Sequence, residues 1–310
     1  MPVGVTAFAV LPHRQPPNSP EPDILFLRHT TTVPSMKRLL LVVAVLVVFV
    51  GACSSDTEPL IGLRVSSDSA VGDSRLLFAV NEVDGTRRGS PDEVVTVVAS
   101  PLDEPSRSYE SVADFTWIVP NTIGVYRATV PFDTAGLWQI DFAISTGEPT
   151  EPFLVDIQAS PSSVAIGEPA PLVETRTLAD TPIEELTTDD DPVPELYESS
   201  LHEVLQNGRK TVVLFATPAF CVSSTCGPLL NQMKHVMPQA PTVDFVHIEV
   251  YEGFREPGFV PDAQHLAPAV AEFGLINEPW IFVMDESGIV TSRLEGVLID
   301  GELEEILGVG

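Results

Sequence analysis

TVVLFATPAFCVSSTCGPLL, Thr211–Leu230, is the stretch on which the reading of the fold turns. Thr211–Phe215 is an apolar run rich in β-branched residues, the composition of a strand buried on both faces. Ala216-Thr217-Pro218 leads from it towards two cysteines, Cys221 and Cys226. Gly227-Pro228 and LLNQMKHVM follow, and they predict a helix with Pro228 in its first turn. A helix N-terminus stabilises a neighbouring thiolate, the form that attacks disulfides. A buried strand that hands a cysteine pair to a helix start is therefore a redox arrangement.

This segment resembles the active-site strand, loop and helix of the thioredoxin superfamily. It is most similar to exported thioredoxin-like proteins, through Phe215-Ala216 and the aromatic-cysteine step Phe220-Cys221. A second similar piece is NEPWIFVMDESGIVTSRLEG, Asn277–Gly296. The resemblance implies a cis-proline at Pro279, opening a strand antiparallel to the active-site strand. It also implies a hairpin at Asp285-Glu286-Ser287-Gly288 and a last strand ending at Gly296. Cys221 would be the exposed nucleophile and Cys226 the resolving thiol, with Pro279 beside them. Phe220 and Trp280 would border the substrate groove, with a core aromatic as the alternative for Trp280, and Glu278 would tune the cysteines. Neither a cofactor nor a metal site is implied. Val213 stands where thioredoxin carries a buried carboxylate, so a proton relay from that position is not expected.

Other chemistries compete for the pair. Some peroxiredoxins also space two cysteines by four residues, but they need a Thr or Ser and a Pro before the peroxidatic cysteine. Here Pro218 and Leu214 occupy those places. Copper-delivery factors of cytochrome oxidase add a histidine where this chain has Asn277-Glu278-Pro279. A binding module whose disulfide only staples a loop is the remaining alternative, although so small a ring removes little unfolded-state entropy.

Upstream, MKRLLLVVAVLVVFVGAC (residues 36–53) has a basic start, an apolar run and small residues before Cys53. Its last four residues resemble the bacterial lipobox, which implies lipidation at Cys53. The apolar run Leu39–Val50 is short of the roughly 20 residues that a spanning helix needs. The expected organisation is an upstream extension at 1–35, a lipoprotein signal peptide at 36–52 and a tether at 53–59. The protein would then be extracytoplasmic and held to a bacterial membrane by lipid.

Residues 60–158 hold short strands punctuated by turns. In LWQIDFAI, Leu137–Ile144, the side chains of Trp138, Ile140, Phe142 and Ile144 alternate with Gln139, Asp141 and Ala143, burying one face. This predicts an antiparallel sandwich, and GVYRATVPFDTAGLWQIDF resembles immunoglobulin-like domains of the YtkA-like kind. The segment lacks the His, Met and Cys that soft metals require. Residues 159–193, dense in Pro and acids, predict an extended connector that buries little. Within residues 194–310, helical spacing predicts helices over Glu195–Gln206 and Pro261–Gly274, and Thr242–Tyr251 reads as a buried strand. These residues complete the expectation of an α/β thioredoxin-like C-terminal domain beside an all-β immunoglobulin-like sandwich.

The chain carries 16 basic against 44 acidic residues, which argues against nucleic acid and anionic surfaces as electrostatic partners. The expected partners are protein thiols or disulfides and an extracytoplasmic electron donor. A carboxylate at Glu278 disfavours a nearby thiolate, and no Lys or Arg occurs in Phe215–Met233 to offset it. An unstabilised thiolate favours the disulfide, so the expected potential lies nearer about −270 mV than about −120 mV.

Overall fold

The structure, a computed structural model, describes residues 58–310. The upstream extension, the signal peptide, Cys53 and most of the tether lie outside those residues. Among the described residues, no helix is long and apolar enough to cross a membrane.

Nine strands form the first sheet. They are β1 (Leu60–Arg64), β2 (Gly72–Asn81), β3 (Arg87–Arg88), β4 (Val95–Pro101) and β5 (Tyr109–Val119). β6 (Ile123–Phe132), β7 (Gly136–Ile144), β8 (Thr150–Glu151) and β9 (Phe153–Ile157) complete it. The path runs β8-β1-β2-β6-β5-β4-β7-β9, with β3 attached to β2. Its two ends, β8 and β9, are separated in sequence only by Pro152, so the sheet curls into a nearly closed barrel. The alternation in β7 holds: Trp138, Ile140, Phe142 and Ile144 all point into the core. Phe78, Tyr126, Phe132 and Val155 meet them there.

The expected sandwich fails at β5. Tyr109–Ala113 pair with β4, while the following residues, from Asp114, pair with β6. One strand thus runs out of one half and into the other, fusing what would be two facing sheets into one.

The second sheet has the order β11-β10-β12-β13, from β10 (Lys210–Ala216), β11 (Val243–Glu249), β12 (Trp280–Met284) and β13 (Val290–Glu295). β10 and β11 are parallel, and the other two pairs are antiparallel. Alternate side chains feed two clusters. Val212, Leu214 and Ile281 join one, and Val213, Phe215 and Phe282 join the other.

The helices are α1 (Ile183–Leu186), α2 (Leu201–Val204), α3 (Cys226–Val236), α4 (Pro268–Glu272) and α5 (Glu302–Leu307). Among the described residues only α3 reaches eleven residues, and the other helices have four to six. The helix predicted over Glu195–Gln206 is broken: Pro194–Tyr197 is a 3-10 turn, and α2 restarts behind Ser200. Ser200 and Glu203 form a reciprocal capping box, which fixes that restart. The helix predicted over Pro261–Gly274 shrinks to α4. Gly274 ends it at φ +66°, where a Cβ would run into the Ser162 carbonyl.

Strand makes up 36% of the described residues and helix 15%. The expected class, an α/β thioredoxin-like domain beside an immunoglobulin-like sandwich, is therefore overturned. The described residues are mostly β, a barrel-like sheet followed by a four-stranded sheet, and one eleven-residue helix with a few one- and two-turn pieces does not build the layers of an α/β domain.

Buried polar contacts join the sheets. Arg75 on β2 meets Glu302 through two bonds, 2.8 and 2.7 Å, and gives a third, 2.8 Å, to the Glu295 carbonyl. The Glu295 carboxylate accepts from Ser67 N at 2.9 Å and from Ser67 Oγ at 2.6 Å. Asp68 pairs with Arg293 and accepts from the N–H groups of Ser162 and Ser163. Burial alone would raise the Asp68 pKa, but those donors and Arg293 outweigh it and hold the carboxyl below its ordinary value.

Candidate functional site

β10 ends at Ala216, buried on every side, and the chain turns through Thr217 and Pro218 to Cys221. Cys226 opens α3 and is fully buried, whereas Cys221 is half-buried. The two form a disulfide with their Cα atoms 6.0 Å apart. The N–H of Cys226, in the first turn of α3, points at Cys221 Sγ from 3.3 Å. Ser223 Oγ lies 3.2 Å from the same sulfur and 2.7 Å from Thr225 Oγ1. The first turn of α3 carries no acidic residue to oppose charge there. The arrangement can hold a thiolate at Cys221 and keep Cys226 dry behind it.

The Glu278-Pro279 peptide bond is cis. Trp280 pairs with Phe215 across the sheet, so Pro279 falls beside Ala216, at the strand end from which the cysteine loop leaves. Glu278 is half-buried, and burial pushes its carboxyl up. Trp280 is not a groove residue. It is buried, stacks on Phe282 at 5.7 Å, lies under the Arg293 guanidinium at 5.1 Å and donates to Asn277 Oδ1 at 2.7 Å. Asn277, at the place where a copper site would need histidine, gives its amide to Glu295 at 2.7 Å. Phe220 packs on Phe259 and Tyr251, with ring centroids 5.1 and 6.2 Å away.

The acidic connector is not a free tether. Asp189 forms an ion pair with Lys234 on α3, and the Asp191 carbonyl accepts from the same ammonium at 2.7 Å. Thr188 Oγ1 donates to Glu249 Oε2 at 2.9 Å and accepts from Ala219 N in the cysteine loop at 3.1 Å. The connector thus straps the loop, α3 and β11 together, and the Asp189 charge is answered by a partner that the composition alone does not reveal.

Glu249 is the group that sequence reasoning missed. It ends β11, is buried, and accepts from Thr188 N at 2.7 Å. Burial raises its pKa to about 7, against the lowering pull of the Thr217 hydroxyl and of Thr188. Thr217 Oγ1 stands near enough to matter electrostatically, yet neither it nor Glu249 Oε1 completes a hydrogen bond. A cavity of about 40 Å³, room for a few waters, opens beside Glu249, His247, Tyr197 and Tyr251. The signal for this site was polar residues two apart, His247 and Glu249, inside the otherwise apolar run Phe245–Val250.

His247 is a packing residue rather than a surface one. Its Nε2 lies 3.2 Å from the Ala216 carbonyl and its Nδ1 2.7 Å from Tyr197 Oη. Burial drives its pKa down to about 4, so the ring is neutral at neutral pH. His265 pairs with Asp262 at 2.9 Å, and His235 is exposed on α3.

Comparison with protein-family models, with curated proteins and with solved structures found no match to this chain.

Proposed function

We propose that this protein is a thiol–disulfide oxidoreductase that acts through Cys221 and Cys226, reducing disulfides in other polypeptides. The observation that carries the reading is the asymmetry of the pair. Cys221 is reachable and receives the Cys226 N–H at the start of α3, while Cys226 is sealed in the core. In the dithiol form, the Cys221 thiolate attacks one sulfur of a substrate disulfide. A mixed disulfide forms, and the other substrate sulfur leaves as a thiolate and takes a proton. Cys226 then loses its proton and attacks Cys221 Sγ, which closes the internal disulfide and releases the second substrate thiol. Two electrons pass to the substrate in each cycle. Regeneration needs a two-electron thiol donor. With Cys53 lipidated, that donor would be a membrane thiol-transfer protein acting outside the cytoplasm.

The copper-delivery alternative has no specific support, because the Asn277 side chain is committed to Trp280 and Glu295. The test of the reading is turnover of a protein disulfide by the reduced chain. Cys221→Ser should abolish it. Full activity in both Cys221→Ser and Cys226→Ser would leave the disulfide a loop staple and overturn the reading.

A further inference from the structure

Cys221 stands at the edge of an aromatic surface. Phe220, Tyr251, Phe259 and His265 are all partly exposed, and their rings follow one another at 5.0–6.2 Å. Val222, the residue after Cys221, is 95% exposed, and Val260, after Phe259, is 56% exposed. Val222 lies inside the ring closed by the disulfide, so it is held out beside the reactive sulfur. Covering an apolar side chain this exposed is favourable, a gain that a bound polypeptide can collect here.

The charges around these rings are one-sided. Asp262 and Glu278 both lie close enough to Tyr251 to raise its phenol pKa, after burial itself. Glu252 and Glu256 belong to the same loop. The basic side chains nearby are engaged. His265 is paired with Asp262, and Arg255 donates to the Glu184 carbonyl at 2.8 Å with its guanidinium over Phe254. Lys234 is held by Asp189 and the Asp191 carbonyl. Aromatic faces rimmed by carboxylates attract ammonium and guanidinium groups. A second copy of this chain is a poor occupant, since the chain carries a net charge of −28.

We propose that this face selects disulfide-bearing polypeptide segments in which apolar side chains are accompanied by Lys or Arg. The apolar side chain would cover Phe220 and Val222, and the cation would lie against Tyr251, Phe259 and Glu278. This substrate preference rests on the exchange reading above.

The test uses the reduced full chain and two synthetic peptides. Each peptide holds one disulfide and one leucine beside it, flanked by lysines in one and by glutamates in the other. The lysine peptide should be reduced about tenfold faster or more, and 0.5 M salt should compress the ratio. Glu278→Gln and Tyr251→Leu should each lower the ratio, and Val222→Ser should slow both peptides alike. Equal rates on the two peptides, with a small aromatic disulfide still reduced, would overturn the preference and leave the exchange reading standing. No reduction of any of the three disulfides would overturn both. Self-association through this face, seen by sedimentation and lost in Val222→Ser, would also overturn the preference.

Discussion

Glu249 stands opposite Ala216 in the parallel pairing of β11 with β10, at the strand end where the cysteine loop begins. The Thr188 hydroxyl joins that carboxylate to the loop at Ala219 N, two residues before Cys221.

The first expectation concerns pH and stability. Glu249 has a folded pKa of about 7, raised above the ordinary carboxylate value of 4.5. Between those values the folded state holds a proton that the unfolded state has lost, so Glu249 lowers stability as pH rises through that window. His247 does the reverse. Its folded value of about 4 lies below the ordinary 6.5, so it adds stability as pH rises between them. Each slope is at most about 1.4 kcal/mol per pH unit, and the two oppose each other where the windows overlap. Glu249→Gln should therefore expose the His247 slope. Urea unfolding of the variant should show stability climbing from pH 4.5 to 6.5, where the parent stays nearly flat. Parallel curves would contradict the assignment.

Thr188→Val removes the bridge between Glu249 and the loop and keeps the backbone N–H of residue 188. The expected cost is about 1 kcal/mol, the ordinary worth of one such link. Amide exchange at Ala219 should quicken by more than that at buried β10 amides. Unchanged exchange at Ala219 would mean that the loop is held by its own disulfide alone.

Arg75→Leu should cost roughly 3–5 kcal/mol, because it leaves the buried Glu302 carboxylate with the Ile299 N–H at 2.9 Å and, as its cation, Arg127 at the longer 3.5 Å. Pairing it with Glu302→Leu should recover much of that loss. If the double variant is no better than the single, the ion pair is not what joins β2 to α5.

Glu278→Gln should lower the Cys221 pKa and shift the pair towards a more oxidising potential, because it removes a negative charge opposed to the thiolate. Alkylation rate against pH reads the first effect, and equilibration with a glutathione buffer reads the second. A parent Cys221 with a pKa below about 5 would contradict the argument.

Much of the site was legible, and the fold was not. The apolar run Thr211–Phe215 and Pro228 after the cysteines carry strand and helix signals that local physics obeys, and β10 and α3 form there. Alternation in Trp138–Ile144 gave the buried face of β7. Alternation says which face is buried and nothing of which strand lies alongside. The change of partner within β5, at Ala113 to Asp114, was therefore invisible, and a barrel-like sheet read as a sandwich. Apolar spacing over Glu195–Gln206 suggested one helix, while Ser200 and Glu203 already held the capping signature that starts a new one. Trp280 read as a groove residue because only the fold shows Asn277 and Arg293 enclosing it. Glu249 lies inside Thr242–Tyr251, a run that reads simply as a buried strand. Its importance depends on Thr188, 61 residues earlier, and no local pattern joins the two.

The central claim is that Cys221 attacks and Cys226 resolves. Its most direct measurement is intact-mass spectrometry of Cys226→Ser after mixing with a disulfide-bearing protein, under conditions that block stray thiols. The expected result is a covalent complex through Cys221, absent in Cys221→Ser and released by dithiothreitol. A complex trapped by Cys221→Ser instead, or by neither variant while the parent still reduces the substrate, would contradict the claim.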